Sequence, residues 1–354
     1  MKETLLQLVA FCAGGILAAY ICNLLLLNFS QSLGIRNKND ITVRWSNQSK
    51  PSLGGISFFV VFIFCIFAFS VFAHDENIFH DLKFIGLFVS GTLAFLMGLA
   101  DDAYNTKPLI KLSVQILCGV IFIYTGTIIS ITSVEWLNYL VTIFWVILLM
   151  NSLNMLDNMD GITGTVVLFI IITCLGSDWM LNGINSSFWS VINCAMVGGL
   201  LGFLYFNIHP SKIFMGDAGS QFIGLYIAFI TIDDLWMVGA RQGLHNGIGM
   251  VLVAVCFTAP FSDTLTVVIN RLKKGQSPMV GGKDHTTHHL VYSGLKDRQV
   301  WYVFLAIASV ACLLTLSMLY LLKIGYTLAL LFFVFYTLIV FLILYRKTLR
   351  YPQK

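Results

Sequence analysis

Apolar residues fall along this chain in long runs separated by short polar segments, without the strict alternation of a half-buried strand. Eleven runs approach the roughly 20 apolar residues that one helix needs to cross a bilayer. They lie near 4–28, 52–73, 83–100, 111–130, 136–153, 161–176, 188–206, 219–232, 246–269, 300–321 and 325–345. The pattern predicts an all-α polytopic membrane protein of about eleven transmembrane helices, because a helix satisfies its own backbone polar groups in lipid. The first run, Leu5 to Leu27, is longer than a signal-peptide core and shows no clear cleavage pattern, so we expect it to be retained. No Pro- or Ser-rich linker and no internal repeat divides the chain, which predicts one integral-membrane domain over residues 1–354.

Charge turns these runs into a topology. The segments 29–51, 101–110, 154–160, 207–218 and 270–299, together with Lys111 and the C-terminus, hold 17 of the 21 Lys and Arg residues. The opposite face holds only Lys2, Lys83, Arg241 and Lys323, along with acids such as Asp75, Glu76, Asp81, Glu135, Asp178, Asp233 and Asp234. Basic residues near span ends stay cytoplasmic. The expectation is a multi-pass protein of the cell inner (cytoplasmic) membrane, with the N-terminus outside and the C-terminus in the cytoplasm.

Composition agrees. Charged residues make up 11% of the chain and hydrophobic ones 58%, with a mean hydropathy of +0.84. Soluble domains carry about a quarter charged residues, so an ordinary soluble globule, a disordered chain and a nucleic-acid-binding domain are all excluded. The net charge of +4 is too small to imply a polyanionic partner. Eight cysteines lie scattered inside apolar runs with no CxxC, as small buried hydrophobes do.

Polar clusters with chemical potential gather on the expected cytoplasmic face. Asp101 and Asp102 are adjacent carboxylates that stay ionised together only with cations or water nearby. They suit a magnesium–diphosphate or proton-transfer site, with a solvated helix end as the structural alternative. Lys107 and Lys111 follow as candidate phosphate contacts. Asn151, Asn154, Asp157 and Asp160 recur every three residues, so a helix would stack them along one drifting stripe. That arrangement is costly to desolvate unless it binds something. Asp217, in Phe214-Met-Gly-Asp-Ala-Gly-Ser220, sits where a helix begins and suits either an anion-plus-metal site or a simple cap. The last long loop, Asn270 to Gln299, carries six basic residues and three of the chain's seven histidines, His285, His288 and His289. Phosphate contact or proton handling fits this group better than zinc, for which further nearby ligands are lacking (His74, His80 and His245 belong to the other face). A secondary transporter would instead place its carboxylates near the membrane midplane, usually between repeated halves. A lipid-binding protein would leave the spaced Asn/Asp run unexplained.

Taken in order, these residues resemble the polyprenyl-phosphate N-acetylhexosamine-1-phosphate transferases, and the likeness covers most of the chain. The matching motifs are Lys50-Pro-Ser-Leu-Gly54-Gly55, Gly98-Leu-Ala-Asp101-Asp102 and Lys111-Leu-Ser-Val-Gln115. They continue with Asn154, Asp157 and Asp160-Gly161, then Asn207, Pro210 and Phe214-Met-Gly-Asp217-Ala-Gly-Ser220, and close with Pro260-Phe-Ser-Asp263-Thr264 and the His285 loop. The resemblance implies a helical bundle with a cytoplasmic-face active-site cleft. It implies Mg²⁺ (Mn²⁺ as a substitute) on Asp217, with Asn154 as a second contact. Asp101 and Asp102 become the pair that handles lipid phosphate or metal, with Asp157 and His288 as further catalytic candidates. Lys50 and Lys111 hold phosphate. Asp160, Asn207 and Phe214 line the nucleoside side, and His285, His288 and His289 contact the diphosphate.

The substrates implied are a UDP-N-acetylhexosamine, most simply UDP-GlcNAc, and undecaprenyl phosphate within membrane lipid; a homodimer is left open. Two departures stand out: Asn158 replaces the glycine usual after the first Asp of the second acidic motif, and Thr286-Thr287 widens the His-x-His-His spacing. The His-His-His-Phe-Glu block of the muramoyl-pentapeptide branch is absent. The amino-sugar branch is therefore preferred, with synthesis of the muramoyl-pentapeptide lipid as the alternative.

Overall fold

A computed structural model describes residues 2–32, 50–72, 77–278, 281–327 and 330–352. His74, Asp75 and Glu76, assigned above to the outer face, lie outside them. The described residues form helices and no strands. In order these are α1 (Lys2–Ser32), α2 (Ile56–Phe72), α3 (Leu82–Tyr104), α4 (Pro108–Tyr124), α5 (Glu135–Leu156), α6 (Ile162–Asn182) and α7 (Phe188–Asn207). They continue with α8 (Gly216–Thr231), α9 (Val238–Arg241), α10 (Ile248–Cys256), α11 (Thr258–Lys273), α12 (Thr286–Tyr292), α13 (Asp297–Lys323) and α14 (Leu330–Arg350). A π-helical turn, Ile232–Trp236, joins α8 to α9.

Each expected apolar run becomes helical, and the helices differ in length. Among the described residues, eight helices are long and apolar enough to span a membrane, nine if α10 and α11 count as one bent span. Helices α2 and α4 have 17 residues each, about 25 Å of rise against a hydrocarbon core of about 30 Å. The expected run 246–269 is not one straight helix: it breaks at Phe257 with a bend of 81°. The run expected to start at 219 begins instead at Gly216 and takes Asp217 into the helix. The first turn is supported from α3, because the orphan Ala218 N–H donates to Asp102 Oδ2 at 2.9 Å.

Helix α8 forms the axis of the bundle, and every residue from Ala218 to Thr231 is buried. It packs on α3, α5 and α2. Close packing depends on missing side chains: a Cβ on Gly98 of α3 would lie 2.3 Å from Asp217 O and 2.6 Å from Ala218 Cα. Helix α1 runs alongside α7 in the same manner, where a Cβ on Gly15 would lie 2.2 Å from Ala195 O. Small residues let membrane helices approach until dispersion and weak polar contacts hold them. The polar clusters collect where α3, α5 and α7 end and where α4, α6 and α8 begin, all at one end of the bundle. At the other end Lys83 and Arg241 both pair with Asp233, each at 2.7 Å.

Candidate active site at one end of the bundle

The centre of the site is built by α3, α4, α5 and α8. Helix α3 ends in a left-handed Asn105 (φ 51°), which turns the chain so that Thr106 caps the buried Asp101. The Thr106 N–H and Oγ1–H donate to Asp101 Oδ1 at 2.8 and 2.7 Å. Pro108 opens α4, a position that needs no N–H donor, and one turn on Lys111 forms an ion pair with Asp101. The Asp101 and Asp217 carboxyl groups are hydrogen-bond neighbours. Asn154 Nδ2 donates to Asp217 Oδ1 at 2.6 Å and to Ser220 Oγ at 2.8 Å. Asp102 instead faces the α8 N-terminus through Ala218 N–H, where a carboxylate meets the positive end of the helix dipole. Gly216 makes this possible, with φ of +75° and Asp102 Oδ2 at 2.8 Å from where a Cβ would sit. Five residues expected to act together, Asp101, Asp102, Lys111, Asn154 and Asp217, therefore meet.

The polar centre continues inward. Asn151 Nδ2 donates to Gln115 Oε1 at 2.8 Å, and Gln115 Nε2 donates to Gln221 Oε1 at 3.2 Å. The expected stripe of four polar residues stops at Asn154, however. Helix α5 ends at Leu156, leaving Asp157 as its half-buried C-terminal cap and Asp160 in the following turn. The break comes where Gly161 takes a left-handed conformation (φ +76°) to open α6.

Asp160 belongs to a second group. It accepts from Ser211 N at 3.0 Å, Ser211 Oγ at 2.8 Å and His209 Nδ1 at 3.1 Å. Lys50 Nζ lies 3.9 Å from the same carboxylate, donates to Ser211 Oγ at 3.1 Å, and sits 5.3 Å from the centre of the Phe214 ring. Asn207 is buried beneath: it accepts from Gly161 N at 3.0 Å and donates to Ile213 O at 2.8 Å. Both ends of its amide hold backbone, so here it shapes the loop around Phe214. The first two groups share a wall, since Gly54 and Gly55 N–H donate to Phe214 O and Met215 O at 2.9 and 2.8 Å.

The third group surrounds α12. Asp263, fully buried on α11, accepts from His285 Nδ1 at 2.9 Å, Thr286 N at 2.8 Å and Thr286 Oγ1 at 2.6 Å. The carboxylate fixes which His285 nitrogen carries a proton. His289 Nδ1 donates to Tyr351 O at 2.6 Å, leaving its Nε2 as the acceptor. The His288 ring crosses the His285 ring with centroids 5.4 Å apart. Burial, helped by the charge of His285, pushes His288 down to about 3, and burial also lowers His289. Both are neutral at pH 7, so His288 and His289 offer hydrogen-bonding nitrogens there and no positive charge. Burial pushes Asp284 upward, but the Arg271 hydrogen bonds at 2.8 and 2.6 Å outweigh it and hold its carboxyl below the usual range. The α5–α6 turn meets α12 directly, with Thr287 Oγ1 donating to Asn158 Oδ1 at 2.5 Å. The two departures from the family pattern thus touch each other.

His209, Ser211 and Thr106 carry no sequence expectation, and Asp263 and Ser220 are noted in motifs without a role. The signal for Asp263 is an acid inside an apolar run. The others are ordinary polar residues whose partners lie far along the chain. Among the described residues no three His, Cys, Asp or Glu side chains converge as a ready-made metal cage. The Asp101–Asp217 pair still fits Mg²⁺, which usually takes one or two carboxylates and completes its shell with water and substrate phosphates.

Comparison with known proteins points the same way. The glycosyl transferase family 4 profile matches residues 84–235. A Bacillus subtilis protein named probable undecaprenyl-phosphate N-acetylglucosaminyl 1-phosphate transferase is 25% identical over 260 residues, 70% of this chain and 67% of its own. The decaprenyl-phosphate N-acetylglucosaminephosphotransferase of Mycolicibacterium smegmatis is 27% identical over 287 residues, covering 75% and 71%. A phospho-N-acetylmuramoyl-pentapeptide-transferase of Streptococcus pneumoniae is 26% identical over 320 residues, covering 82% and 91%. The matched segment, 84–235, runs from α3 through α8 and holds the whole carboxylate centre, and the chain is similar over most of its length to proteins named as N-acetylglucosamine-1-phosphate transferases acting on polyprenyl phosphates.

Proposed function

We propose that this protein transfers N-acetylglucosamine 1-phosphate from UDP-GlcNAc to undecaprenyl phosphate at the cytoplasmic face of the membrane, releasing UMP. The supporting observation is the meeting of Asp101, Asp217, Lys111 and Asn154 from four helices at one end of an apolar bundle. Such a site can hold an anionic headgroup while its lipid chain stays in the bilayer. The names of the amino-sugar relatives supply the substrates.

In the reaction, a phosphate oxygen of the lipid attacks the sugar-linked phosphorus of the nucleotide. The bond from that phosphorus to the bridging oxygen breaks, and UMP leaves with the oxygen and its electron pair. The lipid phosphate, with a second pKa of about 6, is already largely ionised at neutral pH, so no strong base is required. Both reactants are anions, and positioning and charge balance carry most of the catalysis. Asp217 and Asp101 would hold Mg²⁺, which when bound neutralises charge on the diphosphate. Asn154 keeps the Asp217 carboxylate oriented. Lys111, now paired with Asp101, is placed to shift toward incoming phosphate. Lys50, Asp160 and Phe214 offer a cation, a hydrogen-bond acceptor and a ring face for the nucleoside.

The test is to incubate membranes bearing the protein with radiolabelled UDP-GlcNAc, undecaprenyl phosphate and Mg²⁺. A chloroform-soluble labelled product, suppressed by UMP and by chelation, is expected; its absence rejects the reading. The match to 91% of the Streptococcus pneumoniae relative favours UDP-MurNAc-pentapeptide as the second donor to try. Product from that donor alone would move the protein to the other branch.

A further inference from the structure

Helix α12 has seven residues, too short to be stable without tertiary support. It is held by bonds to three separate parts of the bundle. Asp263 on α11 takes His285 and Thr286, and the Tyr351 carbonyl beyond α14 takes His289. The third part is the carboxylate turn between α5 and α6: Thr287 Oγ1 donates to Asn158 Oδ1 at 2.5 Å. Asn158 follows Asp157 directly, and Thr287 precedes His288 directly.

The orientation of this bond is defined. Asn158 Nδ2 donates to Met155 O at 2.8 Å, at the end of α5, so the carbonyl of the amide faces Thr287. Thr287 is fully buried, which shields its hydroxyl from competing water. The bond therefore ties the backbone that carries Asp157 to the backbone that carries His288 across 129 residues of sequence. Neither side chain titrates near neutral pH or offers a nucleophile, so the chemistry available to the pair is mechanical. We infer that the Asn158–Thr287 hydrogen bond is a positioning latch that sets the histidine block against the acidic turn. This rests on the proposed phosphotransfer, with the histidines contacting the diphosphate and Asp157 acting beside it as the resemblance implies. Misplacement of reacting groups by about 1 Å can cost on the order of 100-fold in rate, and a latch of this kind acts on that sensitivity.

The test compares Thr287→Val, which keeps the shape and loses the hydroxyl, with Thr287→Ser, which keeps the hydroxyl, in the full-length protein. Thr287→Val is expected to lower kcat roughly 10- to 100-fold, with KM for UDP-GlcNAc and for undecaprenyl phosphate within about twofold. Thr287→Ser is expected to restore most of the rate. Asn158→Ala breaks the same bond from the other side, and the Asn158→Ala/Thr287→Val double variant is expected to be no slower than the slower single one, because the pair acts as a unit. Hydrogen–deuterium exchange over residues 285–292 is expected to quicken in Thr287→Val and not in Thr287→Ser. Unchanged exchange, unchanged kcat, a loss confined to KM, or additive losses in the double variant would each overturn the latch. A wild-type protein that makes no lipid product while exchange still responds to Thr287→Val would refute the proposed reaction and leave the mechanical coupling standing.

Discussion

Asp217 accepts a 2.6 Å hydrogen bond from Asn154 and lies beside Asp101. Replacing it with Asn keeps the shape but removes the charge that a divalent cation requires. In the proposed reaction Asp217→Asn is expected to cut UMP release at least about 100-fold, with unchanged size-exclusion behaviour in detergent; near-full activity would remove Asp217 from the proposed metal site. Lys111 separates two roles. Its loss leaves the buried Asp101 carboxylate uncompensated, which destabilises, and in the proposed reaction it also removes a phosphate contact. Thermal unfolding of Lys111→Met is expected to show a lower Tm, and Asp101→Asn in the same chain is expected to recover that stability without recovering activity. Recovery of both would make Lys111 a structural counter-ion only. Asp101, Asn154 and Asp217 were legible because acids and amides at the ends of apolar runs demand a reason. His209 and Ser211 were not: their bonds to Asp160 depend on how residues 208–215 fold, and nothing in the local sequence points 49 or 51 positions back.

At the scale of the element, the site depends on how closely α3 approaches α8. A methyl group on Gly98 would meet the Asp217 carbonyl oxygen, part of a backbone that cannot swing aside. Gly98→Ala is expected to push the helices apart, separate Asp101 from Asp217, cost about 1–3 kcal/mol of stability and lower kcat; thermal unfolding and the lipid-product assay read the two effects. The α12 segment has a pH signature. His288 binds its proton only near pH 3 in the fold, against about 6.5 when unfolded. Between those values the unfolded chain holds a proton that the folded one refuses, so stability falls as pH falls. By pH 5 the loss is about 2 kcal/mol, and His288→Gln is expected to flatten it. Asp284, lowered below its ordinary value, adds a loss of the same sign at still lower pH. Helix positions were readable from apolar runs. The bend at Phe257 was not, because it leaves the hydrophobic pattern unchanged.

For the whole molecule, the open quantity is the parity of membrane crossings, and the bent α10–α11 pair decides it. If that pair were a re-entrant loop, the chain would leave and return on the same side. The contacts oppose this. Gly249, near the start of α10, packs against the Trp236 backbone beside the Asp233–Arg241 ion pair, while Asp263 of α11 reaches His285 at the opposite end of the bundle. Helix α13 then runs back, from Trp301 bonded to Thr165 at the start of α6 to Lys323 bonded to Met180 at its end. Helix α14 returns to place Tyr351 against His289. Helix α1 runs parallel to α7, since Gly15 meets Ala195 and the Tyr20 ring meets the Tyr205 ring near the end of α7 that carries Asn207. The amino terminus therefore lies at the end away from the site and the carboxyl terminus at the site end. If the site end faces the cytoplasm, as the proposed function requires and the bias of basic residues supports, a green fluorescent protein fused after residue 354 is expected to fluoresce, and an alkaline phosphatase fused before residue 1 to be active. Two termini reporting the same compartment would mean that the bend turns the chain back, and would place the histidine block and the carboxylate centre on opposite membrane faces, where they could not serve one diphosphate.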